Sequence, residues 1–507
     1  MNGEPRGDAA RARKTFLALA AVVTLGVAHG VVYALPFEDS FITFRYAEHL
    51  AGGDGLVWNP GERVEGCSSF LWTVLLAGVA RLGLPVPGVA VLLSLLAASG
   101  LLIATWALGR RRGLPHGPAI LAATGVAAHG TFAYFGASGM ETSLFALAVC
   151  TAAWLAEGTD ARAAIRAGAM LGVATWIRPE GLGYSGAFAL AELVSRRPRR
   201  AAETLVLALA LATPLVVFRL VYFGYPLPNT SYAKATPSAA LLETGAVYAV
   251  AFFVSTGFLL TVLAALRAER SGRPSVSDRR AWLVVLAATG NAVLVGGDTF
   301  GFFRTFLPAL GPGFVLIARA FRGPTLPGLA AAWGLASAFV PRLSQGGLGP
   351  SDFSATRGIA ALNADYFAVG RFLSENLPSD ATIALNAAGI VPYVSRLRAV
   401  DMLGLNDVHI AHHPVRKGES AAVGHQKHDA AYVLSRRPDV ILPGLPVLSP
   451  TRLAPEAIGS FYARYARFLP GDRELFANPD LALLYRPVVV PVGEKYLPMF
   501  VRRSGVF

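Results

Sequence analysis

Cysteine is nearly absent: Cys67 and Cys150 are the only two in 507 residues. So few exclude a disulfide framework and a thiolate metal cluster. Charge is scarce too, at 15% against 54% hydrophobic residues. That balance excludes the about three soluble domains that length alone suggests. No internal repeat or low-complexity tract is evident. No small-residue cleavage site follows the first apolar run, which ends Pro-Phe-Glu-Asp, so it reads as an uncleaved span and not a signal peptide.

What is abundant is apolar sequence in runs of about twenty residues, such as "TFLALAAVVTLGVAHGVVYALPF" and "VPGVAVLLSLLAASGLLIATWAL", long enough to cross a ~30 Å hydrocarbon core. We read a polytopic α-helical membrane protein. The net charge of +13 would point to nucleic acid in a soluble chain. Here the arginine clusters sit at the ends of apolar runs, where they orient helices. The lipid bilayer is the expected partner, and nucleic acid is not.

Apolar segments fall at 15–36, 68–83, 86–109, 118–136, 140–157, 164–177, 181–195, 201–223, 245–267, 281–296, 305–321 and 326–341. If all of them spanned, "GRRRG" and "RAERSGRPSVSDRR" would lie outside, against the positive-inside bias. Segment 68–83 is the best candidate to lie in the interface, at about 24 Å of helix, and it carries Arg81. With that change about eleven spans remain, the basic clusters fall in the cytoplasm and the C-terminus lies outside. Segments 164–177 and 181–195 are short and meet at Pro179, as a shallow bent hairpin would.

Residues 1–344 thus form the expected membrane domain. Residues 345–507 read as a soluble α/β domain outside it, with strand-like "ATIALN", "AVDML", "DVILPG" and "LALLYRP" and a helix over "DYFAVGRFLSENL". The domain carries His409, His412, His413, His425 and His428. No cysteine or HExxH spacing accompanies them, so no metal is assigned.

The same topology gathers the unusual polar stretches at the outer face: "FEDSFITFRYAEHL", "NPGERVEG", "SGMETS", "RPEG", "YPLPNTSYAK" and "GGDTFGFFR". Residues 40–51 read as an amphipathic surface helix, with Arg45, Glu48 and His49 on one side and Ile42, Tyr46 and Leu50 on the other. Glu38 and Asp39 stand at its start. They either cap the helix or serve as a base, and both readings stay open on the residues alone. Glu62 and Glu65 read as loop-ordering.

"EDSFITFRYAEHLAGGDGLVWNPGERVEGCSSFLW" resembles the first external loop of bacterial GT-C glycosyltransferases that use polyprenyl-phosphate sugars. It is most similar to the branch of terminal cell-wall β-arabinofuranosyltransferases. "SGMETSLF", "RPEG", "YFGYPLPNTSYAKA", "GGDTFGFFRTFLP" and "AAGIVPYVSRLRAVDMLGLNDVHIA" carry the resemblance over nearly the whole chain. One departure is that Glu38 stands where the branch has its first Asp, while Asp39 is kept.

The resemblance implies a GT-C-like fold in the cytoplasmic membrane and transfer of a sugar, with inversion, from a polyprenyl-phosphate donor to an extracytoplasmic glycan acceptor. Asp39 would take the acceptor proton, with Glu38 assisting. Arg45, Arg178, Lys234 and Arg304 would hold the donor phosphate. Glu141, Glu180, Asn229, Tyr232 and Asp298 would contact sugar or acceptor, or pair with those arginines. No cofactor is required, with a divalent cation left open. Two rival classes are a transporter of a lipid-linked or anionic substrate and a non-catalytic glycan-binding scaffold. Polar motifs collected at one face, without repeated halves, favour the transferase.

Overall fold

The computed structural model describes residues 5–234, 238–270, 274–298, 302–321, 323–337, 339, 342–344, 347–349, 352–415, 425–464 and 469–504. The chain divides into two compact units. One comprises Met1–Pro36, Gly88–Leu215 and Ala239–Thr356, and the other Phe37–Pro87, Val216–Ser238 and Arg357–Phe507. A linear division at 344/345 therefore misses that 37–87 and 216–238 pack with the C-terminal residues. Their polar and aromatic side chains find partners in the sheet domain.

The first unit is helical: α1 (Pro5–Val32), then α2 (Ser40–Gly52) and α3 (Phe70–Arg81) of the other unit, then α4 (Val86–Arg111), α5 (His116–Ala128), α6 (Gly130–Gly136), α7 (Thr142–Ala156), α8 (Ala163–Ile177), α9 (Gly181–Val194) and α10 (Pro198–Tyr222). After α11 (Asn229–Lys234) come α12 (Ala239–Ser255), α13 (Leu260–Arg270), α14 (Val276–Leu294), α15 (Leu307–Ala320) and α16 (Thr325–Ser337). Among the described residues, three helices are long and apolar enough to cross a membrane, Ala9–Val32, Val86–Arg111 and Pro198–Tyr222, and two bent pairs qualify jointly. The expected single segment 118–136 is broken at His129, where α5 and α6 meet at 66°. Segment 245–267 is likewise broken between α12 and α13, at 86°. Gly257 there takes φ 69°, a left-handed conformation that glycine adopts without steric cost. At 12 residues, α3 is about 18 Å long, shorter than a span.

Not all the arginines serve only to orient helices. Arg280 is buried between two acids, with Nη1 at 2.7 Å from Glu157 Oε1 and Nη2 at 2.6 Å from Glu192 Oε1. Arg112 is buried against Asp278, which also approaches Arg319 at 3.4 Å. A charge withdrawn from water needs such partners, and removing one leaves the other uncompensated.

In the second unit, α17 (Asp352–Asn376) leads to a five-stranded sheet of order β4-β3-β5-β7-β6. The short hairpin β1 (Arg342–Ser344) and β2 (Gly347–Gly349) precedes it, in the first unit. Strand β3 (Thr382–Leu385) is parallel to both β4 (Arg398–Asp401) and β5 (Val440–Leu442), while β7 (Lys495–Arg502) is antiparallel to β5 and to β6 (Tyr485–Val492). The expected strand "LALLYRP" is half wrong. Asn478 caps a short helix Pro479–Leu484 through the Asp480 N–H, with Pro479 in its first turn, and β6 begins only at Tyr485.

Because β4 and β5 flank β3 on opposite sides, the loop after β3 opens at a switch point, where α/β sheets hold ligands. That loop enters α18 (Ile390–Ser395), and beyond β4 lies α19 (Val408–His412). The edge of β4 is covered by Asn59. Its Nδ2 donates to Ala399 O at 2.8 Å and its Oδ1 accepts from Ala399 N at 3.2 Å, so a side-chain amide does the work of a further strand.

Candidate active site

Asp39 does not cap α2. It has helical φ −59° and ψ −25°, and its side chain accepts no bond from the helix amides. Glu38 is held from the sheet domain instead: its Oε1 accepts from Gly389 N at 2.6 Å and from Ile390 N at 3.3 Å. An acid supplied by the chain itself thus sits at the switch point after β3. The approach requires glycine, since a Cβ on residue 389 would lie 2.0 Å from the Glu38 carbonyl oxygen. Burial, and then the neighbouring Asp39 carboxylate, push the Glu38 pKa well up, and the two carboxyls share a hydrogen bond. Paired acids of this kind hold a proton between them rather than ionising together.

His425 lies within electrostatic reach of Asp39 and of Lys234, the last residue of α11. Burial and the Lys234 ammonium lower its pKa to about 4, against the opposing pull of Asp39. The imidazole is therefore neutral near pH 7. Its Nδ1 is buried and without a hydrogen-bond partner among the described residues. Lys234 is half-buried and makes no hydrogen bond or ion pair among the described residues. The second unit thus brings together Glu38, Asp39, Lys234 and His425: two acids, one cation and a neutral imidazole.

Three expected ligand-binding residues are instead structural in this unit. Ser40 to Ala47 of α2 are all buried, so the helix is not a surface amphipath. The Arg45 guanidinium donates to Trp58 O and Leu397 O, each at 2.7 Å, and to Pro392 O. With a fourth bond to Asn59 Oδ1, most of its five donors are taken, and the side chain is buried rather than open to a phosphate. Asn229 Nδ2 donates to Gly404 O at 2.8 Å and Leu405 O at 3.0 Å, fastening α11 to the loop after β4. Tyr232 stacks on His412 with centroids 4.6 Å apart. Glu62 pairs with Arg398 and Arg436, and Glu65 with Arg219, the loop-ordering roles expected of them.

The other expected residues gather in the first unit. Arg178 Nη1 lies 2.5 Å from Glu141 Oε1, and its Nη2 lies 2.9 Å from Glu180 Oε1. Arg304 Nε lies 2.9 Å from Asp298 Oδ2. Thr142, Arg178, Glu180, Tyr184, Asn291 and Arg304 are among the residues lining one small cavity. Of the two readings open for these acids, pairing with arginine is the one realised.

Sequence reasoning missed His425 and Gly389. The histidine patch gave no hint that its members part company. His412 stacks on Tyr225 and Tyr232, His428 Nδ1 meets Glu474 at 2.7 Å, and His425 turns toward Asp39 and Lys234. Gly389 was quoted only within a longer motif. A glycine opening a turn after a predicted parallel strand is the signal that could have flagged it.

Residues 357–486 match a family described as "Domain of unknown function (DUF8728)". The terminal beta-(1->2)-arabinofuranosyltransferase of Mycobacterium tuberculosis is 31% identical over 220 residues, which cover 39% of this chain and 34% of that protein. The enzyme of the same name from Corynebacterium glutamicum is 31% identical over 243 residues, covering 42% and 34%. The match thus spans about a third of the length of each curated relative. ArnT from Cupriavidus metallidurans, solved bound to undecaprenyl phosphate, aligns over 96% of this chain and 98% of its own, with TM-score 0.55 and 13% identity. Its apo form aligns with TM-score 0.54 and 12% identity, over 97% and 98%. The fold is that of ArnT: apolar helices with a small C-terminal sheet domain.

Proposed function

We propose that this chain is a glycosyltransferase of the bacterial cytoplasmic membrane, with its C-terminal sheet domain outside. It moves a sugar from a polyprenyl-phosphate donor onto a hydroxyl of an extracytoplasmic glycan. The pentofuranose class is favoured by the arabinofuranosyltransferases it resembles. The observation that carries the reading is that Asp39, hydrogen-bonded to Glu38, and Lys234 both act on the same buried His425 within one unit. A carboxylate and a cation at one place supply what the two ends of this transfer need.

The acceptor oxygen attacks the anomeric carbon as its proton passes to Asp39, and the bond from that carbon to the phosphate oxygen breaks. The electron pair leaves with the polyprenyl phosphate, whose charge Lys234 offsets. Attack opposite the leaving group inverts the anomeric centre. Glu38, pinned to Gly389 and Ile390, orients its neighbour and holds the shared proton. Arg178 and Arg304 line a small cavity of the first unit and are assigned to lipid-phosphate or acceptor contacts. These steps require no cofactor and leave a divalent cation on the phosphate open.

The test is Asp39→Asn in purified full-length protein with a synthetic polyprenyl-phosphate pentose. Turnover should fall by ~10²–10⁴ while donor binding persists. Near-normal transfer by this variant would remove Asp39 as the base. A transporter would instead move the labelled lipid across proteoliposomes without forming a glycosidic bond.

A further inference from the structure

Three clusters stand outside the proposed chemistry: the buried arginine network around Arg280, an apolar groove between α9, α13 and α14, and a histidine–carboxylate group in the sheet domain. The arginine network is satisfied by its own acids.

His409, His413 and Asp429 each offer one ligand atom, and these atoms all lie within 4.8 Å of one another. His409 Nε2 is 2.8 Å from Asp429 Oδ2, and His413 Nδ1 is 3.6 Å from the same oxygen. Donors about 2.0–2.1 Å from a tetrahedral zinc ion stand roughly 3.4 Å apart, so the distances bracket what the ion requires. The rings, 5.8 Å apart at their centroids, need only small rotations to close on it. The two histidines are four apart in sequence and flank one turn of α19, which places them on the same face.

The cluster is also braced from behind. Asp429 caps the helix Ala430–Ser435 through Oδ1, which accepts from Tyr432 N at 2.8 Å, leaving Oδ2 for the histidines. The Tyr432 ring stacks on His409, with centroids 4.0 Å apart and planes at 15°. Its hydroxyl donates to Asp407 Oδ2 at 2.9 Å. Asp407 in turn caps α19 through Ile410 N. Carboxylates and rings fixed in this way pre-orient metal ligands. His409 and His413 are both accessible, with side chains 47% and 29% exposed, so solvent can fill a fourth position.

We infer that His409, His413 and Asp429 form a site for a borderline divalent transition metal, zinc being the best fit to two imidazoles and a carboxylate. The ion joins α19 to the helix that follows Asp429. It thereby stiffens the loop after β4, on which Asn229 and Tyr232 of α11 rest. The role inferred is that of a clamp between these two elements. It stands whether or not the chain transfers a sugar.

The experiment uses the full-length protein in detergent, with its affinity tag removed and metal stripped by chelator. Zinc is titrated against a chromophoric chelator, and cobalt is added in parallel as a spectroscopic probe. One zinc per chain should bind, cobalt should show the intense visible bands of a tetrahedral site, and zinc should raise the thermal midpoint. His409→Ala and His413→Ala should each weaken binding by at least about tenfold and abolish the cobalt bands. Asp429→Asn, which retains the cap, should weaken binding without unfolding the domain. Stoichiometric binding that survives both histidine substitutions would overturn the inference, as would the absence of binding by the folded parent. Monodispersity and circular dichroism of each variant establish that it is folded, independently of the metal readout.

Discussion

Glu65 and Arg219 form a two-pronged ion pair, Oε2 to Nε at 2.8 Å and Oε1 to Nη2 at 2.9 Å, with both side chains almost wholly buried. The Glu65 carbonyl also accepts from Asn229 N at 2.9 Å, so the pair secures the start of α11. Breaking one side leaves a charge without a partner. Glu65→Gln or Arg219→Met should each cost ~3–5 kcal/mol of stability, and Glu65→Leu with Arg219→Met should recover most of it. Chemical denaturation of the detergent-solubilised protein, followed by tryptophan fluorescence, reads both. Equal loss in the single and double variants would show that the pair acts through shape alone.

Glu38 makes stability depend on pH. Its pKa is raised on folding, so the native state binds more protons than the unfolded state above the ordinary carboxylate range. Its contribution is complete in acid and is lost as pH climbs through the raised value. Glu38→Gln removes that dependence. The variant should gain stability relative to the parent as pH rises from about 5 through neutrality, measured as thermal midpoints across a buffer series. A constant difference at every pH would contradict the raised value.

Lys234→Ala should weaken binding of a polyprenyl-phosphate donor by ~1.5–3 kcal/mol, the range for charge-assisted hydrogen bonds. It should also release His425 from the cation that helps hold it neutral, moving its titration upward. Donor affinity by fluorescence quenching and imidazole titration by NMR are independent readouts. Unchanged affinity together with unchanged titration would place Lys234 outside the site.

Gly389→Ala tests the docking of Glu38 without touching an ionisable group. The added methyl would meet the Glu38 carbonyl oxygen and displace the acid pair from its amides. Shifts of about 1 Å can cost ~10²-fold in rate, so transfer should collapse while the variant still binds donor through Lys234. Normal turnover would mean that the pair need not rest on this turn.

Much of this was legible because local pattern decides it. Long apolar runs became helices, α17 covers "DYFAVGRFLSENL" as far as Asn376, and β3, β4 and β5 fall largely on the expected strand-like stretches. Glu38 and Asp39 stood out as acids at the end of an apolar run. Roles set by distant partners could not be read in the same way. Arg45 looked free for phosphate because the carbonyls that engage it belong to Pro392 and Leu397, 347 and 352 residues away. His409 and His413 show helical spacing, but their third ligand arrives from another element. The breaks at His129 and near Gly257 were hidden by composition, since both flanks are equally apolar.

The hydrogen bond from Gly389 to Glu38 closes a loop of 351 residues, and this has a consequence in time. At roughly 5–20 residues per second, the acids emerge from the ribosome about 20–70 s before the turn that receives them. For that interval α2 is without the partners that bury it, and Arg45 has no carbonyls at 392 and 397 to engage. Assembly of α2 with the turn after β3 is thus deferred to the closing stage of synthesis. A nascent chain stalled before residue 389 should remain open to protease around Arg45, and one released beyond the sheet should not.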